Sequence, residues 1–158
     1  MRYIESTLIT GEKIIVTPTV HGIVYFKPLV SGILFSLFLL IMGFSGNNPD
    51  SWTAIAFLFL ALVLFIVIWL VIIHLYYRFI EMAVTNKRVV CKTGIISVHS
   101  EELQWNRIES IEIRQGLLGR LFNFGDIYFS GTGTSYVRFG FIRNPWDIKS
   151  KSAEILSK

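Results

Sequence analysis

The single cysteine of the chain is the first residue whose side chain could do covalent chemistry. Cys91 stands among the cations Lys87, Arg88 and Lys92, and nearby positive charge lowers the pKa of a thiol. No histidine is close in sequence, and strand parity groups Cys91 with Val89. We therefore expect a structural cysteine rather than a nucleophile. One cysteine also excludes an internal disulfide.

Histidines and carboxylates offer no further catalytic set in the sequence. His21, His74 and His99 are scattered and lack the spacing of metal ligands. Glu101 and Glu102 are adjacent, so a strand would point them to opposite faces. No Ser-His-Asp set stands out. The sequence therefore predicts a protein that is not an enzyme and that holds no metal or cofactor.

Two glycine-containing stretches share only part of a phosphate-binding motif. "GTGTSY" begins like a dinucleotide fingerprint, but Tyr136 stands where the third glycine belongs, and the stretch lies between two predicted strands. "GLLGR" lacks the Lys-Ser/Thr pair of a phosphate loop. We interpret the first stretch as a hairpin turn and the glycines of the second as aids to tight backbone turns.

Four cations follow the most apolar run of the chain and form the candidate contact site: Arg78, Lys87, Arg88 and Lys92. Cations this close to a membrane span can contact anionic headgroups, each gaining on the order of 1 kcal/mol at the surface, or they can contact a partner protein. They can equally do no more than set the topology of the span and solvate strand faces. The sequence leaves these interpretations open.

The elements that carry these residues fall into two classes. Hydrophobic residues make up 53% of the 158 residues and charged residues 16%, below the quarter that is usual in soluble domains. From Pro28 to Tyr77 the only charged side chain is Asp50. The net charge of +4 is modest and does not by itself indicate nucleic acid. The chain therefore combines one part suited to lipid with one suited to water.

Two apolar runs predict membrane-spanning helices. Trp52–Tyr77 carries no formal charge, and about 20 apolar residues suffice to cross a bilayer. Pro28–Phe44 reaches sufficient length when it is extended back past Lys27. The linker between them, Ser45–Ser51, has neither Lys nor Arg, whereas both outer flanks are basic. The positive-inside rule therefore predicts a helical hairpin with both termini in the cytoplasm.

After Arg78 the pattern changes to short strands. Turn signals at Thr85-Asn86 and Thr93-Gly94 stand at close spacing. "RIESIEIR" alternates, with Ile111 and Ile113 on one face, as in a half-buried strand. The next stretch, "QGLLGRLFNFGD", does not alternate. It predicts a compact loop or short helical turn under a sheet.

The last third of the chain predicts a hairpin and a helix. In "DIYFSGTGTSYVRFGF" we expect Val137, Phe139 and Phe141 to face inward on the second strand. Asn144 and Pro145 suit the start of a C-terminal helix. At the other end of the chain, "EKIIVTPTV" predicts a strand that docks on this β part.

Taken in order, these pieces resemble a known bacterial family. "VTNKRVVCKTGII" is followed by "RIESI", by "GLLGRL" and by "FGDI" before a strand. This order resembles the bacterial pleckstrin-homology-like family, the YdbS-like membrane proteins, over Arg78–Lys158, and the preceding hairpin agrees in architecture. The resemblance implies two nearly perpendicular antiparallel sheets, about seven strands in all, capped by the C-terminal helix. Together with the two spans, this defines the expected fold class.

The predicted organisation has three parts. They are a cytoplasmic N-terminal lead (1–27), a two-helix transmembrane hairpin (28–77) and a cytoplasmic bacterial PH-like domain (78–158). The leading hypothesis is a non-enzymatic inner-membrane protein whose PH-like domain is an interaction or scaffold module, with membrane lipids and other membrane proteins or copies of itself as partners. The alternative is a module that binds anionic headgroups through Lys87, Arg88 and Lys92. No nucleic-acid partner is expected.

Overall fold

The structure is a computed structural model, and it describes residues 2–45, 49–94 and 97–156. The chain divides into two compact units. One is the helical stretch Gly22–Leu75, and the other joins Met1–His21 to Tyr76–Lys158. The N-terminal segment, which the sequence separated as a lead, thus belongs to the same unit as the β-strands.

The helical unit consists of a 3-10 turn, Gly22–Tyr25, followed by α2 (Phe26–Ser45) and α3 (Pro49–Arg78). Both helices are long and apolar enough to cross a membrane, over Gly22–Gly43 and Trp52–Arg78. Residues 46–48 of the predicted linker lie outside the described residues.

Small residues set how closely α2 approaches α3. A Cβ atom on Gly32 would lie 2.5 Å from Cδ1 of Ile66, so only glycine fits this position without a shift of the isoleucine. About two turns from this contact, just before α2, the hydroxyl of Tyr25 lies 3.1 Å from Nδ1 of His74. The histidine that the sequence left isolated therefore has an aromatic partner within the helical unit.

The first sheet is antiparallel, in the order β1 (Ile14–Val16), β2 (Glu81–Thr85), β3 (Arg88–Thr93) and β4 (His99–Gln104). The turn predicted at Thr85-Asn86 joins β2 to β3, and β1 is the docked strand predicted near the N-terminus. After β3, Gly94 has φ +98°, and a Cβ atom there would lie 1.9 Å from the carbonyl oxygen of Ser97. Glycine is therefore required at this turn, whose next two residues, 95 and 96, are not described.

The second sheet is antiparallel, in the order β5 (Ile108–Arg114), β6 (Phe124–Gly131) and β7 (Tyr136–Arg143). The alternation predicted for β5 is confirmed, since Ile111 and Ile113 pack against the core. One prediction for β7 is wrong. Phe141 has φ +51°, and the register against β6 shifts there, so Ile142 rather than Phe141 is fully buried.

The main core is formed by side chains of both sheets and of the C-terminal helix α5 (Pro145–Leu156). Its largest fully buried members are Phe129, Phe139 and Ile127, and Trp105 meets the Phe129 ring edge-on. α5 begins at Pro145 as predicted, and Ile148 with Ile155 packs against the core. Within the described residues, two antiparallel sheets of four and three strands and a C-terminal helix confirm the predicted β architecture.

A second, smaller core covers the opposite face of β2 and β3. The short helix α1 (Arg2–Ser6) places Ile4 against Ala83 and Val90, and all three side chains are buried. Both faces of the β2–β3 hairpin are therefore covered, one by the main core and one by the N-terminal segment. This second cover determines where the predicted contact residues lie.

Candidate functional site

Arg88 lies at the centre of a buried polar network. Its Nε atom donates to Oε1 of Glu12 at 3.0 Å, one terminal nitrogen donates to Glu102 at 2.5 Å, and the other donates to the carbonyl of Thr7 at 2.6 Å. Only 8% of Arg88 is exposed. The sequence grouped Arg88 with exposed cations, and this is corrected: the N-terminal segment covers its strand face and supplies the carboxylate.

Hydrogen bonds within the protein, rather than solvent, stabilise the charged forms of Glu12 and Arg88. Burial alone would raise the pKa of Glu12, but hydrogen bonds from the Ile9 amide, Thr85 and Arg88 outweigh it and lower that pKa. Burial alone would lower the pKa of Arg88, and its two carboxylate partners raise it instead. Both groups therefore stay ionised, as a buried pair must.

The other three predicted contact residues differ in their exposure and in the contacts that they make. Lys92 is partly buried, with Nζ 4.0 Å from Glu81 and 5.4 Å from the ring centre of Tyr3. The ammonium group of the exposed Lys87 donates a hydrogen bond to the carbonyl oxygen of Thr10 at 2.7 Å. Arg78 is exposed at the end of α3. Three of the four cations are therefore brought together under or beside the N-terminal segment, and their contact with a membrane or partner stays a prediction.

Cys91 lies in the main core beside a cavity of about 250 Å³ whose lining includes Met82, Glu101 and Arg138. The thiol is 4% exposed. Burial, and then the carboxylate of Glu101, raises its pKa to about 12. A thiol with this pKa is a poor nucleophile at neutral pH, so the predicted structural role agrees with its environment.

The two adjacent glutamates of β4 point to opposite faces, as predicted. Glu101 lines the cavity beside Cys91, whereas Glu102 pairs with Arg88. Among the described residues, no group of three or more His, Cys, Asp or Glu side chains could hold a metal ion.

The outer face of the second sheet carries an open groove of about 430 Å³. Arg114 and Arg138 flank the ring of Tyr128, with guanidinium carbons 4.5 Å and 5.6 Å from its centre. Arg138 also donates to Asp126 at 2.6 Å, and this hydrogen bond is the main cause that raises the pKa of Arg138. These cations are balanced by neighbouring carboxylates, so the groove is polar rather than strongly basic.

The short helix α4 (Leu117–Leu121) displays apolar side chains to solvent. Leu117 is 88% exposed and Leu121 74%. The predicted short helical turn is confirmed, but its position under a sheet is wrong. The buried residue of the turn is Gly119, whose backbone lies close to Phe124. A Cβ atom at this position would lie 2.7 Å from the carbonyl oxygen of Phe124.

A known protein family matches most of this chain. The family model described as "Bacterial PH domain" matches residues 29–151, well over half of the chain. The chain belongs to the bacterial PH domain family. No curated protein matches it, and no solved structure matches it.

The extent of the bacterial PH domain match is informative. It covers β2–β7 and most of α5, and it also includes α3 and nearly all of α2. The segment that supplies Ile4, Glu12 and β1 lies outside the match. The covering of Arg88 is therefore a feature that residues 2–21 add to the matched part of this bacterial PH domain protein.

Two features of the site were missed from the sequence. Glu12 was not considered a partner because it precedes Arg88 by 76 residues, although an acid beside "IIV" is a usable signal for a strand that brings a charge. The exposed face of α4 was missed because leucines normally point inward, and only the glycine between them indicates the opposite orientation.

Proposed function

We propose that this chain is a bacterial inner-membrane protein in which α2 and α3 form a transmembrane hairpin and the PH domain acts as a non-enzymatic interaction module in the cytoplasm. The observation that carries the membrane part is the exposure of α3. No residue of its most apolar stretch is buried within the protein. Exposure of so long an apolar surface to water would be energetically unfavourable. Lipid is the environment that such a helix requires.

Strand pairing supports the hairpin topology. β1 pairs with β2, so the chain leaves the sheet unit before Gly22 and returns to it after Leu75. Both ends of the helical stretch must then lie on the same side of any membrane. One crossing by each helix satisfies this condition, and the positive-inside rule assigns the shared side to the cytoplasm.

The state of the cations supports a protein partner over a headgroup as the principal ligand of the PH domain. Arg88 is buried against Glu12 and Glu102, and Lys92 lies near Glu81. Two of the four candidate residues are thus already engaged within the domain. A module that recognised headgroups through this set would need their charges at the surface.

In-cell crosslinking tests the interaction role. A photoreactive phenylalanine analogue replaces Tyr136, which is exposed at the polar groove of the second sheet. At near-native expression we expect discrete adducts with other membrane proteins or with a second copy, identified by mass spectrometry. The same analogue at buried Phe129 is the matched control and should give none. An adduct pattern at Tyr136 no different from the control counts against an interaction module.

Reporter fusions test the topology separately. A periplasmic reporter fused after Lys158 should be silent, and one inserted near Asn48 should be active. Activity after Lys158 would contradict the cytoplasmic location of the PH domain.

A second candidate function, binding of anionic headgroups, rests on the two candidate cations that stay exposed, Arg78 and Lys87. Charge reversal of both should weaken a salt-sensitive preference of the full chain for vesicles rich in phosphatidylglycerol. Reversal of Lys13 and Arg107, also exposed, is the control of equal charge. If both double variants lower the preference equally, these two positions form no specific headgroup site.

A further inference from the structure

An exposed apolar patch lies on the sheet unit, at α4 and at the start of α5. We name it the α4 patch, and its members are Leu117, Leu118, Leu121, Phe122 and Trp146. Each of these side chains is at least half exposed. Single exposed apolar residues are ordinary on proteins, but a contiguous group is typical of a contact surface.

The orientation of α4 is fixed by its inner face. Gly119 is buried where its backbone approaches Phe124, and the Gln115 side-chain amide donates to the carbonyl oxygens of Gly119 and Phe124 at 3.4 Å and 3.0 Å. With glycine inward, the leucines on either side must point outward. The outward position is therefore built into the turn.

Two hydrogen bonds connect the residues that flank α4 with the start of α5. The indole nitrogen of Trp146 donates to the Gln115 side chain at 2.9 Å. Asn123, just after α4, donates its side-chain amide to Asn144, just before α5, at 2.7 Å. The tryptophan and the leucines therefore belong to one surface even though they are 25 or more residues apart in the chain.

In the chain segments that carry the α4 patch, cations outnumber carboxylates by four to two. Arg120 is the one charged residue within α4, and Lys149 places its ammonium 5.8 Å from the ring centre of Trp146. Further cations nearby in the chain are Arg143 and Lys151, against the carboxylates of Asp147 and Glu154. Protruding leucines, a tryptophan and basic side chains are the composition of segments that dip into a membrane interface.

We propose that the α4 patch inserts into the interface of an anionic membrane, with its leucines among the acyl chains and Arg120 and Lys149 among the headgroups. This rests on the proposed membrane location. β2 begins three residues after α3 ends, so the sheet unit is tethered at the bilayer and the local concentration of lipid is high.

Charge distinguishes lipid from a second copy of the chain as the occupant. A symmetric dimer through the α4 patch would bring Arg120 and Lys149 close to the same cations of the partner copy. Like charges at an interface repel, whereas phosphate headgroups complement them. The exposure of Leu117 and Leu121 also makes the patch a protrusion, which a fluid interface accommodates without a matching cavity.

Fluorescence of the full chain in vesicles tests the proposal. Leu117→Cys and, as the matched control, Thr134→Cys in the exposed β6–β7 turn are labelled with an environment-sensitive dye. The vesicles are phosphatidylcholine with or without phosphatidylglycerol. We expect quenching by acyl-chain nitroxides to be several-fold stronger at position 117 than at 134, to increase with phosphatidylglycerol, and to decrease in the additional variant Arg120→Glu.

Two outcomes would overturn insertion. If aqueous iodide quenches both labels equally while both variants still float with vesicles, the chain is membrane-bound but the α4 patch is not inserted. If the dye at 117 is protected only at high protein-to-lipid ratio and loses protection on dilution with lipid, a second copy covers the patch. Loss of flotation by the unlabelled chain would instead refute the proposed membrane location.

Discussion

The guanidinium of Arg88 donates from Nε to Oε1 of Glu12 across 3.0 Å, and this buried ion pair joins segments 76 residues apart in the chain. It ties the N-terminal segment to the β2–β3 hairpin, next to the apolar contact of Ile4 with Val90. Arg88, one of the four candidate contact residues, is therefore engaged in a contact within the domain.

Removing one member of this pair should be costly. In Glu12→Gln the buried arginine loses a charged partner, and we expect the free energy of unfolding of the sheet unit to fall by about 3 kcal/mol. Denaturant titration of the full chain in detergent, with hydrogen exchange read at β2 and β3, measures the change. Glu5→Gln, at an exposed position of α1, is the control and should change stability by less than about 0.5 kcal/mol. Equal stability of the two variants would contradict a structural role for the pair.

The same carboxylate makes stability depend on pH in a defined direction. The pKa of Glu12 is lowered from its usual 4.5 in the folded protein, so the folded state binds fewer protons than the unfolded state. Its contribution is complete above pH 4.5 and is lost as the pH falls below that value through the folded pKa. Titration of unfolding between pH 6 and pH 3, roughly the range over which carboxyl groups titrate, should show this loss. Glu12→Gln should lose less stability over that range, and an unchanged slope would argue against this assignment.

The two glycines that bracket the start of α4 should respond differently to alanine. A Cβ atom on Gly119 would lie 2.7 Å from the carbonyl of Phe124, whereas one on Gly116 meets nothing within 4 Å. We expect Gly119→Ala to destabilise the sheet unit by about 1–3 kcal/mol and Gly116→Ala to be close to neutral. Thermal unfolding of both full-length variants compares them directly. The prediction fails if Gly116→Ala is the more harmful change.

Cys91 should be nearly inert toward thiol reagents. With a pKa of about 12, its thiolate fraction at pH 8 is about a thousand-fold below that of a thiol near pKa 9. Because a thiolate of higher pKa is also the stronger nucleophile, we expect maleimide to label Cys91 in the wild-type chain roughly tens of times more slowly, or slower still, than it labels the cysteine in Thr134→Cys. Similar rates for the two proteins would show that Cys91 is reached without unfolding.

The parts of the fold that follow local periodicity could be predicted from the sequence. The alternation of Ile111 and Ile113, the turn after Thr85 and the start of α5 at Pro145 each depend on neighbouring residues, and the structure confirms them. The alternation of β7 failed at Phe141 because a change of register at positive φ exchanges the faces of a strand, and no turn residue marks it.

The candidate site could be predicted less well, because it depends on contacts distant in sequence. Arg88 is buried because residues 2–21, which precede both long helices in the chain, pack over it. The exposure of Leu117 follows from the close approach of Gly119 to the backbone of Phe124, which residue type alone does not reveal. In both places the apolar or charged character was visible, but the direction of the side chain was not.

The insertion of Gly22–Leu75 between β1 and β2 has a consequence for biosynthesis. β1 leaves the ribosome before its partner strand exists, and both long helices must be translated before β2 and β3 emerge. β1 therefore has no partner strand, and Glu12 and Ile4 cannot make their contacts with β2 and β3, until those strands have been synthesised. Completion of the sheet must therefore follow synthesis of both long helices, although the segment that covers Arg88 is made before them.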